Sequence, residues 1–219
     1  RTFAEYASEP QLKKFLPKLL AGEGVMSVGM SEPDAGSSVT DLKTSATPDG
    51  DDFLINGSKV FGTNSAEAEV FLIYLRFGPG IDGIGSAIIE KGTPGFEIGP
   101  SYRYMNGEFW SPLYFDNCRI PESNILLGAG GFKKQISGFN IERLGNAARA
   151  VAVGRKAFSE ACEHAKTRQQ FGRDICEFQG LQWKFAEMEV RLEAAQLLLL
   201  RAVTKADSNL PSAQDAALA

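Results

Sequence analysis

The residues best suited to chemistry lie in one short segment, residues 28–38, which reads VGMSEPDAGSS. An apolar, β-prone run over residues 25–30 leads into it and predicts a buried strand. Pro33 has no backbone donor, so the strand must end before it. The small residues that follow Pro33 would let backbone N–H groups approach a bulky polar ligand, because no large side chain stands in the way. The segment therefore predicts either an ordinary strand-to-loop transition or a ligand-binding turn.

As a whole, this segment resembles the T/S-E-P-x-A-G-S-D signature of the acyl-CoA dehydrogenase family of flavoproteins, with Ser38 in place of the usual Asp. The resemblance runs from about Glu9 to the last residue, and it covers only the middle of the family's usual length. It implies FAD-dependent α,β-dehydrogenation of an acyl-CoA thioester, in which a Glu removes the α proton and the β hydrogen passes as hydride to flavin N5. This chemistry needs a flat seat for the flavin, donors for the thioester carbonyl and a carboxylate base.

The resemblance implies that six residues of the first half of the chain bind the cofactor. Ser31 matches the position whose hydroxyl and backbone bond the flavin edge. Residues 61–64, Phe-Gly-Thr-Asn, resemble the family's W-I-T-N segment, which packs against the flavin ring. Phe61 departs from the usual Trp but keeps an aromatic face, and taken alone it also fits plain core packing. The implied cofactor residues here are Met30, Ser31, Gly36, Ser37, Phe61 and Thr63.

A second part of the flavin site is implied by residues 168–172, Arg-Gln-Gln-Phe-Gly, which resemble the family's R-x-x-F-G motif. In the oligomers of that family the motif reaches the FAD of a neighbouring subunit. Arg168 would pair with the pyrophosphate through its planar guanidinium, Phe171 would pack near the adenosine half, and Gln179 would hydrogen-bond nearby. The alternative interpretation is a helix C-terminus with a basic residue and a Gly stop.

The family places its catalytic Glu at one of two positions, and the sequence leaves both open. Residues 139–144, FNIERL, resemble the E-R-L segment of members whose base lies on the first helix after the sheet domain, which makes Glu142 the candidate. An apolar pocket would tune this carboxyl toward the working pH. In other members the base lies on a distal loop, which here would fall beyond Ala219. The residues implied to lie along the substrate are Phe139, Asn140 and Arg143.

Hydrophobic spacing predicts the elements that position these residues. Apolar residues at three- and four-residue steps over residues 9–20 predict an amphipathic helix, with Pro10 in its first turn and Pro17 expected to end or kink it. From residue 25 to about residue 125 the period is two, and the Asn56-Gly57 pair predicts a tight hairpin turn. The predicted strands cover residues 25–30, 38–46, 53–55, 58–61, 70–77, 85–90, 96–104 and 111–120.

Short strands with frequent turns and no helix between them predict an antiparallel barrel or sandwich. Two long helices follow, over residues 132–168 and 174–205, and a third begins at Ser212. Such a helix pair leaves a face open that further helices or another chain would cover. The predicted fold class is therefore α+β, an antiparallel β-barrel or sandwich followed by part of a four-helix bundle. The predicted domains are residues 1–24 as the remnant of an N-terminal helical domain, 25–128 as the flavin and acyl-CoA domain and 129–219 as a partial helical bundle.

Composition excludes several other classes of function. The net charge of −4 argues against nucleic acid as a partner, and no apolar run approaches the length of about 20 residues that a membrane span needs. One histidine and three cysteines without a C-x-x-C pair predict no metal site and reduced thiols. The chain has no initiator Met and no signal-peptide pattern, which we interpret as a non-native N-terminus.

The resemblance also implies partners. These are an acyl-CoA substrate, electron-transfer flavoprotein or a similar electron acceptor, and further copies of the chain in a homodimer or homotetramer. The expected compartment is the bacterial cytoplasm or the mitochondrial matrix. Two alternatives stay open. One is an acyl-CoA oxidase or flavin monooxygenase of the same fold, and the other is a non-catalytic scaffold that retains the fold.

Overall fold

A computed structural model describes residues 2–207 and 209–219 of the chain. The chain divides into two compact units, Arg1–Gln135 and Ile136–Ala219, which we call the sheet unit and the helical unit. Within the described residues, no helix is both long enough and apolar enough to cross a membrane. The sheet unit opens with two helices, α1 (Thr2–Tyr6) and α2 (Glu9–Ala21), and continues as a series of short strands.

The sheet unit is built on one eight-stranded sheet and one separate hairpin. Its strands are β1 (Met26–Gly29), β2 (Ser45–Asp49), β3 (Asp52–Lys59), β4 (Val70–Arg76), β5 (Ile84–Glu90), β6 (Phe96–Ile98), β7 (Tyr102–Arg103), β8 (Phe109–Trp110), β9 (Leu113–Pro121) and β10 (Ile125–Leu127). The large sheet has the order β10-β5-β4-β2-β3-β9-β6, with β1 beside β4, and β7 pairs only with β8. The predicted α+β class is confirmed, but the described strands do not close into a barrel. The sheet is mixed, because β1 runs parallel to β4.

Strands β4 and β5 are apolar on both faces and buried along nearly their whole length, as strands covered on both sides are. Alternate residues of β4 enter different cores. Ile73 packs with Ile55 of β3 and Ile120 of β9. Leu72 packs on the opposite face, against Phe15 of α2. The two helices at the start of the unit therefore cover one face of the sheet.

The hairpin turn predicted at Asn56-Gly57 is wrong. Strand β3 runs through both residues. The turn lies before β3, between β2 and β3, where Asp49 pairs with Asp52. Gly57 instead sits at a bulge against β9, with a φ of 140°. A Cβ at this position would lie 2.7 Å from the Thr44 Cα. The backbone therefore requires a glycine at position 57, although the chain does not reverse direction there.

Three other predicted boundaries also differ from the structure. Pro17 lies inside α2, which continues to Ala21 and ends at Gly22 in the left-handed region. The capping box of Ser8 and Gln11 at the other end helps the helix tolerate the missing donor. The strand predicted over residues 38–46 is a short 3₁₀ turn followed by β2, and the strand predicted over 96–104 is divided into β6 and β7.

The described residues of the helical unit form three α-helices and a small hairpin. Its elements are α3 (Phe132–Thr167), which begins just before the unit boundary, β11 (Gln169–Gln170), β12 (Arg173–Asp174), α4 (Gln179–Ala206) and α5 (Ala213–Leu218). Helix α4 begins five residues later than the spacing predicts, because a 3₁₀ turn, Ile175–Glu177, precedes it. Ser212 caps α5, and its Oγ accepts a hydrogen bond from the Asp215 N–H at 3.0 Å.

Candidate cofactor and substrate site

The signature segment begins where β1 ends and is folded into a tight turn. The Ser31 carbonyl accepts a hydrogen bond from the Val60 N–H at 2.9 Å. The next residues close on themselves, since Glu32 and Ala35 exchange backbone hydrogen bonds of 3.0 and 3.2 Å. In the described part of the chain, the N–H and the hydroxyl of Ser31 have no hydrogen-bond partner. Ser31 therefore offers two donors at the end of a fixed strand.

A buried ion pair holds this turn, and the sequence interpretation missed it. The Lys59 ammonium lies 2.7 Å from Glu32 Oε1, and the two side chains are 0% and 6% exposed. The Thr44 hydroxyl and N–H donate to the same oxygen at 2.6 and 2.9 Å, and the Lys43 N–H donates to Oε2 at 2.6 Å. A signal was present in the alternation of β3, because Lys59 shares an inward register with Ile55.

The surroundings of the pair shift both pKa values. Burial lowers the pKa of Lys59 to about 8, against the opposing pull of the Glu32 carboxylate, and the Arg76 charge adds to the lowering. Burial alone would raise the pKa of Glu32, but the Lys59 ammonium and the hydrogen bonds from Thr44 and Lys43 hold it below its ordinary value. Both groups are therefore charged at neutral pH.

The second cofactor segment leaves β3 in an unusual backbone conformation. Phe61 and Asn64 both have positive φ, at 60° and 58°. The Phe61 side chain is 59% exposed, so the interpretation of this ring as plain core packing is wrong. A non-glycine residue in the left-handed region is costly and needs support from its surroundings. The segment therefore presents an aromatic face to solvent at a defined place.

The β7–β8 hairpin supplies that support. The Trp110 ring packs against the Phe61 ring with centroids 4.6 Å apart. The Tyr104 hydroxyl donates to the Phe61 carbonyl at 2.8 Å, and the Asn64 N–H donates to the Phe109 carbonyl at 2.8 Å. The sequence alone did not show whether the aromatic residues of this hairpin belong to the site. The structure places them directly behind Phe61.

The two segments predicted to bind the cofactor lie side by side along β1. The Ser27 hydroxyl donates to the Thr63 carbonyl at 2.9 Å, and a Cβ at Gly62 would lie 3.2 Å from the Val28 carbonyl. Thr63 itself is exposed, as are Gly36 and Ser37, and Met30 is half-buried. A Cβ at Gly36 would have open space around it. The six predicted residues thus share the loops that leave β1 and β3.

The predicted R-x-x-F-G motif forms the β11–β12 hairpin of the helical unit. Helix α3 ends at Thr167, before Arg168, so the alternative of a helix stop at Gly172 is wrong. Phe171 and Gly172 make the turn with φ of 53° and 76°. The Phe171 side chain is 94% exposed, which is a costly arrangement for a phenyl ring unless something covers it. Arg168 and Gln179 are exposed as well.

The predicted base and substrate residues lie on α3. Glu142 is exposed within the described chain, so the expected apolar pocket is not formed around it here. Asn140 is buried, and its amide donates to the Pro211 carbonyl at 2.9 Å. The Arg143 guanidinium donates to the Asn140 side-chain oxygen at 2.7 Å. Asn140 and Arg143 therefore have a structural role in the helical unit, while Phe139 is half-buried.

Comparisons with known proteins identify the family. Residues 27–118 match the family model described as acyl-CoA dehydrogenase, middle domain, and residues 129–219 match acyl-CoA dehydrogenase, C-terminal domain. The chain is 35% identical to an acyl-CoA dehydrogenase of Bacillus subtilis and 36% identical to a short-chain specific acyl-CoA dehydrogenase of Clostridium acetobutylicum. Each alignment covers 98% of this chain and 58% of the relative. The chain belongs to the acyl-CoA dehydrogenase family, and it spans less than two thirds of the length of these relatives.

Solved structures agree with this assignment. Butyryl-CoA dehydrogenase from Megasphaera elsdenii superposes with a TM-score of 0.89 at 33% identity, covering 99% of this chain and 58% of that one. A structure described as PigA with FAD and proline gives 0.91 at 30% identity, with 99% and 58% covered. A structure described as the electron transferring flavoprotein of Acidaminococcus fermentans gives 0.88 at 33% identity, with the same coverage.

Proposed function

We propose that this chain carries the FAD-binding core of an acyl-CoA dehydrogenase, which removes hydrogen from the α and β carbons of an acyl-CoA thioester. One observation supports the proposal most strongly. Among the described residues, the Ser31 donors without a partner and the exposed Phe61 ring lie on adjacent loops of the sheet unit. The relatives named as short-chain specific, and the butyryl-CoA dehydrogenase structure, favour a short acyl group. The PigA complex supports FAD as the cofactor.

The residues present fit FAD. The Ser31 N–H and hydroxyl and the Thr63 hydroxyl would donate to the polar edge of the flavin, and Phe61 would pack against its ring. Gly36 and Ser37 leave their backbone open to a polar group, with Met30 beside them. In the helical unit, Arg168, Phe171 and Gln179 would bind the pyrophosphate and adenosine parts, in a neighbouring copy. FAD, when bound, supplies a two-electron acceptor for a hydride.

Glu142 is the proposed base. Its carboxylate would take the proton from the carbon next to the thioester carbonyl, a role that requires a drier setting than its exposed position in this chain provides. Phe139 would lie along the pantetheine, with Asn140 and Arg143 holding this part of α3. The competing assignment places the base on a distal loop beyond residue 219, and the exposure of Glu142 supports keeping it as the alternative.

We further propose that the acceptor of the electrons is an electron-transferring flavoprotein, since a structure described in those words resembles this chain. The exposed Phe171 turn favours a homodimer or homotetramer in which the turn is covered. Bacterial relatives and a mitochondrial relative from Rattus norvegicus favour the bacterial cytoplasm or the mitochondrial matrix as the compartment.

The test is anaerobic addition of acyl-CoAs of different chain length and branching to the FAD-loaded protein, followed by the absorbance of the oxidised flavin. Bleaching with short-chain acyl-CoA is the expected result. Glu142→Gln should slow bleaching at least about 100-fold with FAD binding unchanged. Glu160→Gln is the matched control on the same helix, since Glu160 is an exposed residue that pairs with Lys156 at 3.1 Å.

Three results would redirect the proposal. Bleaching that survives Glu142→Gln would assign the base to another carboxylate. Bound flavin that no acyl-CoA bleaches would contradict catalysis by these residues and support the scaffold alternative. Rapid reoxidation of the reduced flavin by oxygen would favour the oxidase alternative. A further solved structure that resembles this chain is described as a prolyl acyl carrier protein oxidase.

A further inference from the structure

The buried Lys59 side chain contacts the cofactor loop as well as its ion-pair partner. Its ammonium lies 3.3 Å from the Met30 carbonyl oxygen, in addition to its 2.7 Å contact with Glu32. The Met30 carbonyl and the Ser31 N–H belong to the same peptide group. A cation that bonds the carbonyl end of a peptide increases the positive charge on its N–H, and this effect is strong where water is excluded.

We propose that Lys59 and Glu32 are positioning residues for the flavin, because they fix and polarise the Met30–Ser31 peptide that presents its N–H to the cofactor. The inference rests on the proposed function. Lys59 sets the charge at the carbonyl end of the peptide. Glu32 sets the place of Lys59, because its carboxylate is held by the backbone of Lys43 and by Thr44.

The energetics of burial favour this role over a purely structural one. A buried ion pair seldom stabilises a fold more than apolar residues of the same size would, because both charges lose their water. The 0% exposure of the Lys59 side chain makes that cost high. A neutral pair, made by Glu32→Gln with Lys59→Met, would keep an acceptor for the Thr44 donors but would leave the Met30 carbonyl without a cation. What the charge adds is therefore the electrostatic effect on the Ser31 N–H.

The test uses a double variant, Glu32→Gln with Lys59→Met, in which neither partner leaves an unpaired charge. It should fold, with a modest fall in unfolding temperature because the Gln amide keeps only one of the two acceptor oxygens of Glu32. It should bind FAD about tenfold more weakly, as the loss of a charge-assisted hydrogen bond predicts. Its bound flavin should show a shifted absorption band and a lower reduction potential. Lys43→Met is the matched control, because it removes an exposed cation that pairs with Asp34 on the same loop.

A folded double variant with wild-type FAD affinity, spectrum and potential would overturn the inference. Failure of the wild-type protein to bind FAD would instead overturn the proposed function, and the inference with it. If the double variant does not fold, the pH dependence of FAD binding by the wild type decides. Glu32 and Arg76 are the charged groups that act on Lys59.

Because burial lowers the pKa of Lys59 to about 8, its charge is lost within an accessible range. The FAD dissociation constant should rise several-fold between about pH 7 and about pH 9.5 if the ammonium supports binding. A dissociation constant that stays flat over this range would overturn the inference.

Discussion

At the residue scale, the ion pair of Glu32 and Lys59 holds the turn that we propose binds the cofactor. Removing one member of a buried ion pair leaves a charge without a partner, which costs about 3–5 kcal/mol, whereas removing both together costs much less. Glu32→Gln should therefore lower the free energy of unfolding strongly, and adding Lys59→Met should recover most of the loss. A double-mutant cycle by urea denaturation measures the coupling. Additive effects of the two changes would contradict the pair.

The same pair predicts a pH dependence of stability. Between about pH 8 and about pH 10.5, an unfolded lysine still carries its proton, while the lowered pKa of Lys59 means that the folded chain has lost it. The unfolded state then binds more protons, so the Lys59 contribution to the free energy of unfolding rises with pH in this window. The difference between the wild type and the Glu32→Gln/Lys59→Met variant should grow in favour of the wild type. A difference that falls with pH would show that the pKa of Lys59 is not lowered.

At the element scale, Gly57 shows how backbone geometry in β3 builds the site. Gly57→Ala forces a positive φ and a 2.7 Å approach to the Thr44 Cα, and Thr44 holds Glu32. We expect a loss of about 2–4 kcal/mol in the free energy of unfolding. Gly50→Ala is the control, since Gly50 also has positive φ but open space at its Cβ, and it should cost only about 1 kcal/mol. Equal losses at the two glycines would contradict the crowding argument.

Helices α3 and α4 and strand β4 could be predicted from the sequence because of the spacing of their apolar residues. Helices α3 and α4 have apolar residues at steps of three and four over many turns, and β4 is a continuous apolar run between turn signals. The turn predicted at Asn56-Gly57 was wrong because turns and bulges both need a residue with positive φ. Only the pairing of β3 with β9 distinguishes the two.

The site could be predicted only in part. Ser31, Phe61 and Thr63 were named through a family resemblance, and the structure places them on adjacent loops. The Lys59–Glu32 pair was not found, because the contact joins positions 27 residues apart and depends on which side of β3 faces inward. The sequence also did not predict which site residues are exposed to solvent. Glu142 is exposed, whereas Asn140 is buried.

At the scale of the whole molecule, α4 carries an apolar stripe that the described chain leaves exposed. Trp183, Val190 and Leu197 recur every seven residues and are 63%, 68% and 57% exposed. A row of this kind on one helix face is typical of a helix that packs against a partner. The sequence predicted that the helix pair would leave a face open, but it did not show which residues of α4 form that face.

We therefore expect the isolated chain to self-associate in sedimentation experiments at micromolar concentration. Val190→Lys together with Leu197→Lys should reduce the association by charging the stripe while leaving the fold intact, because both side chains are already exposed. Ser159→Lys, at an exposed polar position of α3, is the control and should have no effect. A wild-type chain that sediments as a monomer, or equal behaviour of the two variants, would contradict this expectation.

We expect this chain to hold FAD on the loops that leave β1 and β3, and a titration of FAD fluorescence with the purified protein tests this binding most directly. We expect stoichiometric binding that Ser31→Ala weakens about tenfold, with no effect of Ser123→Ala at an exposed serine elsewhere in the sheet unit. Absence of binding, or equal affinities of the Ser31→Ala and wild-type proteins, would contradict it.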